Sequence, residues 1–195
     1  MRMGAMLSLA WDEDPKRLAF TFSRYKFVAK MLAGMEDVLE VGCGDSTGSW
    51  IVAQHVGALT AIDKDKDLLA SAPAAPIRRQ VHDIVDLPYP GSFDGVFALD
   101  VLEHIRTEHE EAFMRHVSRA LRVYGTMIIG MPSLESQAYA SARSKAAHVN
   151  CKTEDGLRST MERYCRRVFM FGMNDETLHT GYGPMCHYRL AVGVK

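Results

Sequence analysis

Apolar residues follow two different spacings along this chain, one typical of strands and one typical of helices. Short, nearly uninterrupted apolar runs indicate buried strands, whereas apolar positions three or four residues apart indicate amphipathic helices. The runs predict strands over residues 38–41, 58–62, 77–81, 93–99, 126–131, 168–173 and 188–194. The helical spacing predicts helices over residues 16–33, 49–56, 65–72, 108–121 and 155–165. Strand and helix therefore follow each other in turn through the first two-thirds of the sequence.

The early strands lack the alternating polar positions that are typical of a sheet with one solvent-exposed face. The strand at 38–41, for example, reads Val-Leu-Glu-Val. Strands of this kind belong to a parallel sheet that helices cover on both faces. The last two strands lie close together without a full helix between them, so we expect them to pair antiparallel. The sequence therefore predicts one domain over residues 1–195, an α/β, Rossmann-like doubly wound sheet that is mostly parallel with an antiparallel C-terminal strand.

The composition favours a globular protein without a strong positive or negative electrostatic field. Of the 195 residues, 47% are hydrophobic and 24% are charged, and the formal net charge is −1. Such a balance attracts neither nucleic acid nor an anionic membrane. The four cysteines form no CxxC pair, which argues against a zinc knuckle or a disulfide framework. The mildly apolar start runs at once into the acidic residues 12–14, so it resembles neither a secretory signal nor a membrane span, and we expect a cytoplasmic protein.

A glycine-rich turn follows the first strand. Gly42 and Gly44 lack a Cβ atom, which lets the backbone turn tightly and lets a ligand approach the peptide plane. The next strand ends at Asp63, about twenty residues later, where a carboxylate can accept hydrogen bonds from both hydroxyls of a ribose. The glycines alone could make only a tight turn, and Asp63 could simply cap a helix. Together with the acidic Glu40 inside the strand, they predict a nucleotide-binding site.

Charges around the loop discriminate between nucleotides. A dinucleotide loop reads GxGxxG and seats a pyrophosphate on the helix N-terminus. Here Thr47 takes the place of the third glycine, and Glu40 and Asp45 add negative charge where the pyrophosphate would lie. S-adenosylmethionine (SAM) carries an ammonium and a sulfonium but no phosphate, so an acidic site suits it. The sequence predicts SAM as the cofactor and S-adenosylhomocysteine (SAH) as its product, and it disfavours NAD.

Four segments together resemble a known family. The run at 38–44, Val-Leu-Glu-Val-Gly-Cys-Gly, is similar to the first motif of class I (Rossmann-like, type 11/12-like) SAM-dependent methyltransferases. Ala61-Ile-Asp63 resembles their second motif, His82-Asp83-Ile84 their adenine-contacting segment, and 93–104 their fourth-strand signature. The order and spacing match over residues 38–131. One departure is the segment 121–125, Leu-Arg-Val-Tyr-Gly, because the family usually has a Pro-Gly-Gly-type turn before the fifth strand.

The resemblance implies a role for each matching residue. Glu40, Gly42, Cys43 and Gly44 would line the methionine end of the cofactor, and Asp100 would face the sulfonium. Asp63 would hold the ribose hydroxyls, Lys64 would lie beside the adenine, Asp83 would accept from its exocyclic amine, and Ile84 would offer a backbone N–H. Similar proteins also use a preceding helix, so residues 14–34 would lie over the cofactor mouth. Arg24 and Tyr25 could then reach the ligand, or they could be an exposed charge and a core aromatic.

An acidic and histidine cluster follows the fourth strand. Asp100, Glu103 and His104 are one helical turn apart and could face one side. Such oxygen and nitrogen donors suit a divalent cation. Some methyltransferases of similar sequence, including ubiquinone-pathway and small-RNA enzymes, use a comparable cluster for magnesium with a further ligand, for which His148 is the obvious choice here. The cluster could equally be a helix opening beside the substrate mouth. We predict no resident metal and keep Asp100, Glu103 and His104 as the alternative cation site.

The acceptor should bind near the segments within 132–187, because ligands of open α/β sheets lie beyond the carboxyl ends of the strands. Arg143, Lys145 and His148 could contact a phosphate or carboxylate of the acceptor, or they could belong to a solvated face. Methyl transfer to oxygen also requires a base. The predicted catalytic residues are, in falling order of preference, His148, His104 and His179.

These observations predict a SAM-dependent methyltransferase of small-molecule biosynthesis. It would methylate an oxygen or nitrogen of a small polar metabolite, such as a sugar, a nucleotide-sugar or a natural-product intermediate. Its partner would be that small molecule, without membrane or nucleic acid, and a homodimer stays open. One alternative is RNA or protein methylation, with phosphates contacting the basic residues Arg158, Arg163, Arg166 and Arg167. Another is a protein that binds SAM or SAH without catalysis.

Overall fold

The computed structural model describes residues 3–195, through which one eight-stranded sheet runs. The strands are β1 Asp37–Val41, β2 Ala58–Asp63, β3 Arg78–Val81, β4 Phe93–Leu99, β5 Leu121–Pro132, β6 Arg167–Asn174, β7 Thr177–His179 and β8 Tyr188–Val194. Their order is β3-β2-β1-β4-β5-β8-β6-β7. β1 to β5 pair parallel, whereas β8 runs antiparallel to β5 and β6, and β7 antiparallel to β6. The mostly parallel, Rossmann-like sheet is confirmed, and two C-terminal strands rather than one run against it.

Helices cover both faces of this sheet. They are α1 Ala5–Glu13, α2 Lys16–Met31, α3 Ser49–Ala53, α4 Lys66–Ala70, α5 Thr107–Ala120, α6 Ala142–Ala147 and α7 Glu154–Glu162, with 3₁₀ turns at Leu102–His104, Glu135–Tyr139 and Gly183–Met185. The Asp14 carboxylate accepts from the Lys16 N–H at 3.2 Å, which agrees with the predicted start of α2. No helix within residues 3–195 is long and apolar enough to cross a bilayer.

Alternate side chains of each central strand enter opposite halves of the core. In β1, Leu39 packs with residues of α5 and α7, whereas Val38 packs with residues of α2 and α3. In β4, Val96 faces the first layer and Phe97 the second. A strand that is apolar on both sides must be buried on both sides. This double burial explains why the strands read as uninterrupted apolar runs.

Three elements escaped the sequence-based expectations. The helix α1 exposes Met6, Leu9 and Trp11 and buries only Leu7, so its apolar residues do not form the one-sided stripe that marks an amphipathic helix. The strand β7 and the helix α6 have three and six residues, too few for a periodic pattern.

The segment 121–125 also differs from a turn, because it extends β5 at its N-terminal end. Phe93 pairs with Leu121 and Gly95 with Thr126, so the register shifts between the two pairs. Tyr124 takes up this irregularity with a left-handed backbone, φ 65°.

Candidate functional site

The glycine loop between β1 and α3 is tied to the end of β2. Gly42 and Gly44 have φ values of 74° and 54°, a conformation that residues with a Cβ atom rarely adopt. A Cβ atom on Gly42 would lie 2.3 Å from Val101 Cγ2. The N–H groups of Gly42 and Cys43 donate to the Ile62 carbonyl at 2.8 and 3.1 Å. The loop therefore holds the ends of β1 and β2 at one edge of the sheet.

Asp63 accepts hydrogen bonds from the same loop, and its carboxylate can still accept further ones. Its Oδ2 accepts from the Gly44 N–H at 2.7 Å, and its Oδ1 accepts from the Asp65 N–H at 2.8 Å. Each carboxylate oxygen has two lone pairs, so each can still accept from one hydroxyl. The half-exposed carboxylate thus has the free acceptor sites that a ribose diol requires.

A cavity of about 530 Å³ adjoins this carboxylate. Its lining residues are Lys64, Val81, His82, Asp83, Asp86 and Leu87. The Ile84 side chain is buried, and its carbonyl pairs with Nδ1 of His116 on α5 at 2.8 Å. The sequence did not reveal this contact of His116, because the residue stands where the helix pattern requires only a buried position. The structure brings Lys64 and Asp83 to one cavity, with Ile84 anchored behind it.

Glu40 is a buried carboxylate with one free oxygen. It is 1% exposed, and its Oε1 accepts from the Tyr25 hydroxyl of α2 at 2.8 Å. Its Oε2 has no hydrogen-bond partner among residues 3–195. Burial raises the pKa of Glu40 to about 7, and the hydroxyls of Ser49 and Tyr25 only partly offset that rise. A buried polar atom without a partner is rare, and it suits a site whose cationic ligand supplies the missing donor.

Arg24 and Asp100 form an ion pair at the carboxyl end of β4. Nη1 of Arg24 lies 3.1 Å from both Asp100 oxygens, and its guanidinium lies 3.8 Å from the centre of the Tyr188 ring. Burial opposes the charge of Arg24, but Asp100 outweighs it and the pKa of the guanidinium is raised. Asp100 itself has a left-handed backbone, φ 57°. The helix α2 therefore brings one cation, Arg24, and one hydroxyl, Tyr25, onto the acids that follow β4 and lie within β1.

Asp45 has a different role from the one its sequence position suggests. It is 1% exposed, its Oδ2 accepts from the Leu7 N–H of α1 at 2.9 Å, and its Oδ1 accepts from the Thr47 N–H at 3.0 Å. The Thr47 hydroxyl in turn accepts from the Gly4 N–H at 3.0 Å. The charge of Asp45 therefore caps a helix rather than facing an open ligand site. The charge argument against a pyrophosphate therefore rests on Glu40, and Thr47 still replaces the third glycine of a dinucleotide loop.

Glu103, His104 and His148 form a compact cluster after β4. One ligand-type atom of each lies within 4.8 Å of those of the other two, and His104 Nε2 is 3.9 Å from Glu103 Oε1. The two imidazole rings meet edge to face with their centres 5.1 Å apart. Glu103 is 1% exposed, and its Oε2 has no hydrogen-bond partner in the part of the chain described. Burial raises the pKa of Glu103 well above its usual range, and the nearby Asp100 carboxylate raises it further.

Hydrogen bonds fix the tautomer of both imidazoles. His104 Nδ1 lies 3.0 Å from the Ala147 carbonyl, so it must donate. His148 Nδ1 lies 2.9 Å from Oε1 of Gln137, whose amide nitrogen donates to the Ser133 carbonyl at 3.2 Å. With Nδ1 of each ring donating, each Nε2 keeps a free lone pair. Burial and the neighbouring His104 lower the pKa of His148, which keeps it neutral and able to accept a proton.

The remaining sequence-predicted residues lie elsewhere. Asp100 pairs with Arg24 and does not join the Glu103, His104 and His148 cluster. His179 ends the edge strand β7, where its Nδ1 accepts from the Gly181 N–H at 3.1 Å. Arg143 pairs with Glu13 at 3.2 Å, and Lys145 donates to the Ala138 carbonyl at 3.0 Å. Both cations thus already have partners within the chain.

A second and larger cavity, about 720 Å³, lies between α2, α3 and the segment after α4. Its lining is apolar apart from two hydroxyls, with Phe22, Trp50 and Ile51 as the large side chains. Among residues 3–195, none that lines this cavity is titratable, in contrast to the smaller cavity with Lys64, Asp83 and Asp86.

Comparison with known proteins gives a consistent picture. Residues 39–129 match a family model described as a methyltransferase domain. A probable S-adenosylmethionine-dependent methyltransferase of Mycobacterium tuberculosis is 30% identical over 120 residues, which is 58% of this chain and 43% of that protein. A ubiquinone biosynthesis O-methyltransferase of Xanthomonas campestris is 28% identical over 161 residues, which is 76% of this chain and 66% of that protein. The chain therefore spans less than half the length of the mycobacterial relative.

Solved structures share the fold. The N-methyltransferase NodS from Bradyrhizobium japonicum superposes with a TM-score of 0.66 at 15% identity, covering 94% of this chain and 98% of NodS. A second structure of NodS contains SAH. The order of strands and helices around the glycine loop is therefore shared with the fold of NodS.

Proposed function

We propose that the chain transfers a methyl group from SAM to an oxygen or nitrogen of a small polar acceptor, because residues 39–129 match the methyltransferase domain model and the mycobacterial relative is described as a probable SAM-dependent methyltransferase. The observation that carries this proposal is the pair of carboxylates, Glu40 and Asp63, that the glycine loop brings to one edge of the sheet. One is buried with a free oxygen and the other is half exposed. A cationic amino-acid group and a ribose diol are the two ends of SAM that require such acceptors.

Each cofactor group has a matching residue. Glu40 Oε2 would accept from the ammonium, and Arg24, now paired with Asp100, would turn to the carboxylate of the methionine moiety. Asp63 would hold the ribose, and Lys64 and Asp83 would lie along the adenine in the 530 Å³ cavity. The helix α2, within residues 14–34, supplies Arg24 and Tyr25, which contact Asp100 and Glu40. SAM would supply the activated methyl group, and the chain would position the acceptor in line with it.

Binding of SAM and SAH by calorimetry tests the cofactor site. Asp63→Ala should weaken the binding of both ligands at least about a hundredfold, because two hydrogen bonds to a charged group contribute roughly 1.5–3 kcal/mol each. Asp67→Ala, an exposed acid on α4 beside the same loop, should leave the affinity unchanged. Tight binding of NAD, or equal losses in both variants, would contradict the proposed site.

For transfer to oxygen we propose His148 as the base. It is half buried and neutral, with a free Nε2 and a proton-bearing Nδ1 held by Gln137. His104, 5.1 Å away between ring centres, is the second choice. His179 on β7 is the third, and its position at the edge of the sheet makes it the natural comparison.

The transfer of a tritiated methyl group from SAM to the acceptor distinguishes the roles of these histidines. His148→Ala should lower transfer to the acceptor fraction by about 10²–10⁴-fold, the range of a lost acid–base group, with unchanged SAM affinity. His179→Ala should leave transfer within a fewfold of the wild type. A loss of SAM binding in His148→Ala would assign that residue a folding role instead.

A second candidate function of the same cluster is to hold a divalent cation. Glu103 contributes a buried oxygen without a partner, and the two histidines contribute free Nε2 atoms whose opposite nitrogens are held by carbonyl oxygens. This arrangement of donors is typical of metal-binding histidines. A bound cation would act as a Lewis acid on an acceptor oxygen. Exhaustive chelation decides the matter, since unchanged transfer after EDTA treatment would leave His148 as a base alone.

The acceptor class is tested separately. Small-molecule extract, total RNA and unfolded protein can each be offered with tritiated SAM, and we expect label in the small-molecule fraction. Two residues of the basic run, Arg158 and Arg163, pair with Glu154 and Glu111. This pairing supports a small acceptor over RNA. Label in RNA with a steep salt dependence would overturn that choice.

A further inference from the structure

We propose that Glu110, in the first turn of α5, is a positioning residue that fixes His148 against Glu103 and His104. The inference rests on the proposed role of His148, and it deepens that role by naming the side chain that sets its geometry. Glu110 contacts neither the candidate base nor the cofactor residues. It acts on the segment 148–152, which we call the histidine strip.

Glu110 gathers three donors from two other elements. Its Oε2 accepts from Lys152 Nζ at 2.8 Å and from Asn150 Nδ2 at 2.8 Å. Its Oε1 accepts from the Thr160 hydroxyl of α7 at 3.3 Å. The side chains of Glu110 and Lys152 are only 14% and 16% exposed, so solvent screens this ion pair less than one at the surface. Burial opposes the charge of Glu110, but Lys152 and Asn150 outweigh it and lower its pKa.

The other side of the strip is bonded directly to the cluster. The N–H groups of Val149 and Asn150 both donate to the Glu103 carbonyl, at 2.8 and 3.0 Å. The Lys152 carbonyl accepts from the Leu134 N–H at 3.0 Å, which links the strip to the end of β5. Asn150 is 5% exposed and is held from both sides, by Glu103 through its backbone and by Glu110 through its amide.

This arrangement explains how His148 meets residues that precede it by more than forty positions. The bonds to Glu103 and Leu134 hold the strip by its backbone only. The Glu110 bonds hold the side chains of residues 150 and 152 from the opposite side, and with both sets of bonds made the ring of His148 lies 5.1 Å from that of His104. Loss of the carboxylate would leave the largely buried Lys152 ammonium without its partner, which is costly. The strip would then shift to hydrate that cation and would carry His148 with it.

Glu110→Gln and Glu111→Gln form a matched pair for the test. Glu111 is the next residue of α5, is 66% exposed, and pairs only at 3.9–4.0 Å with two surface arginines. Two readouts at one pH need no acceptor: the ¹⁵N chemical shifts of the imidazoles and the hydrogen exchange of the 149 and 150 amides. We expect Glu110→Gln to move the His148 nitrogens towards a mixture of tautomers and to speed exchange of both amides about tenfold, the equivalent of one lost hydrogen bond. His116 and the SAH affinity should not change.

Lys152→Gln serves as a second variant, because it removes the cation and keeps Glu110. It should reproduce the His148 change if the ion pair fixes the strip. Unchanged His148 signals in Glu110→Gln, or equal changes in Glu111→Gln, would overturn the proposal. If the signals move and methyl transfer does not, the positioning stands and the proposed role of His148 fails.

Discussion

At the scale of single residues, the cofactor end of the site is defined by carboxylates that the fold treats differently. Asp63 stays half exposed with backbone N–H groups on both oxygens, whereas Glu40 is buried with one oxygen unbonded. Burial disfavours the charged form of Glu40, whereas a neighbouring cation favours it. A cationic ligand should therefore promote ionisation of this carboxyl. In the proposed site, the same residue would govern both the stability of the free protein and its affinity for a cationic ligand.

Glu40 should make the stability of the free protein fall as pH rises from about 4.5 to about 7. Its pKa is raised from 4.5 to about 7, so the folded state holds more protons than the unfolded state across that interval. At 1.36 kcal/mol per pK unit the loss is on the order of 3 kcal/mol. Urea denaturation of the wild type and of Glu40→Gln at pH 5 and pH 8 measures it as the difference between the two proteins. Glu103 also has a raised pKa, but it is present in both proteins, so its effect on stability cancels in the difference between them. A pH-independent difference would show that Glu40 is ionised throughout.

The affinity for SAM should follow the opposite trend. An ionised Glu40 attracts the ammonium, so SAM affinity should rise between pH 6 and pH 8 in the wild type and stay flat in Glu40→Gln. Calorimetric titrations at matched ionic strength measure this. Parallel profiles for the two proteins would remove Glu40 from the ammonium site.

Sequence reasoning singled out Glu40 inside a strand, and Asp63, Asp83 and His104 at or just after the end of one, because the apolar runs of these strands are easy to recognise. It misjudged Asp45, since the partner that neutralises Asp45 is a helix near the start of the chain rather than a local group. It also passed over Glu110 and His116, whose importance lies in contacts to segments 40 and 32 residues away. Local patterns identify the residues that end strands, but they do not reveal which distant groups hold them.

At the scale of elements, α1 is the helix that depends most clearly on contacts with other segments of the chain. Only Leu7 is buried, and the first N–H groups of the helix go to Thr47, Ser71 and Asp45. Short helices are marginal without such support. Met6 lies over Gly44, close enough that a Cβ atom there would be 2.9 Å from Met6 Cε. The helix thus covers the glycine loop while depending on it.

Removing the cap should release α1 from the loop. Asp45→Ala loses a charged acceptor for the Leu7 N–H, and a lost N-cap costs about 1 kcal/mol. Hydrogen exchange should then speed up across residues 5–13, with little change in α5. Asp37→Ala, an exposed acid on the same strand-and-loop segment, is the control. Unaltered exchange in α1 would mean that its packing, and not Asp45, holds it.

At the scale of the whole molecule, the site is assembled from segments far apart in the chain on one edge of a sheet. In the proposed function, residues of β1, β2 and α2 would supply the cofactor side, and the turn after β4 and the histidine strip would supply the acceptor side. Parallel strands end at a common edge, which is why the sequence alone could place both sides there. It could not give the distance between them, because that depends on α1, α6 and the strip.

Cofactor binding should therefore stabilise the protein as a whole, and the shift can be bounded in advance. A ligand at a hundred times its dissociation constant adds about 2.7 kcal/mol. For a chain of this size each kcal/mol raises the unfolding temperature by roughly 2–4 °C, so SAH should raise it by about 5–10 °C. Asp63→Ala at the same SAH concentration should shift hardly at all, since its ribose contacts are gone. If the shift survives in Asp63→Ala, the ligand is bound elsewhere, and the 720 Å³ apolar cavity between α2 and α3 becomes the place to search.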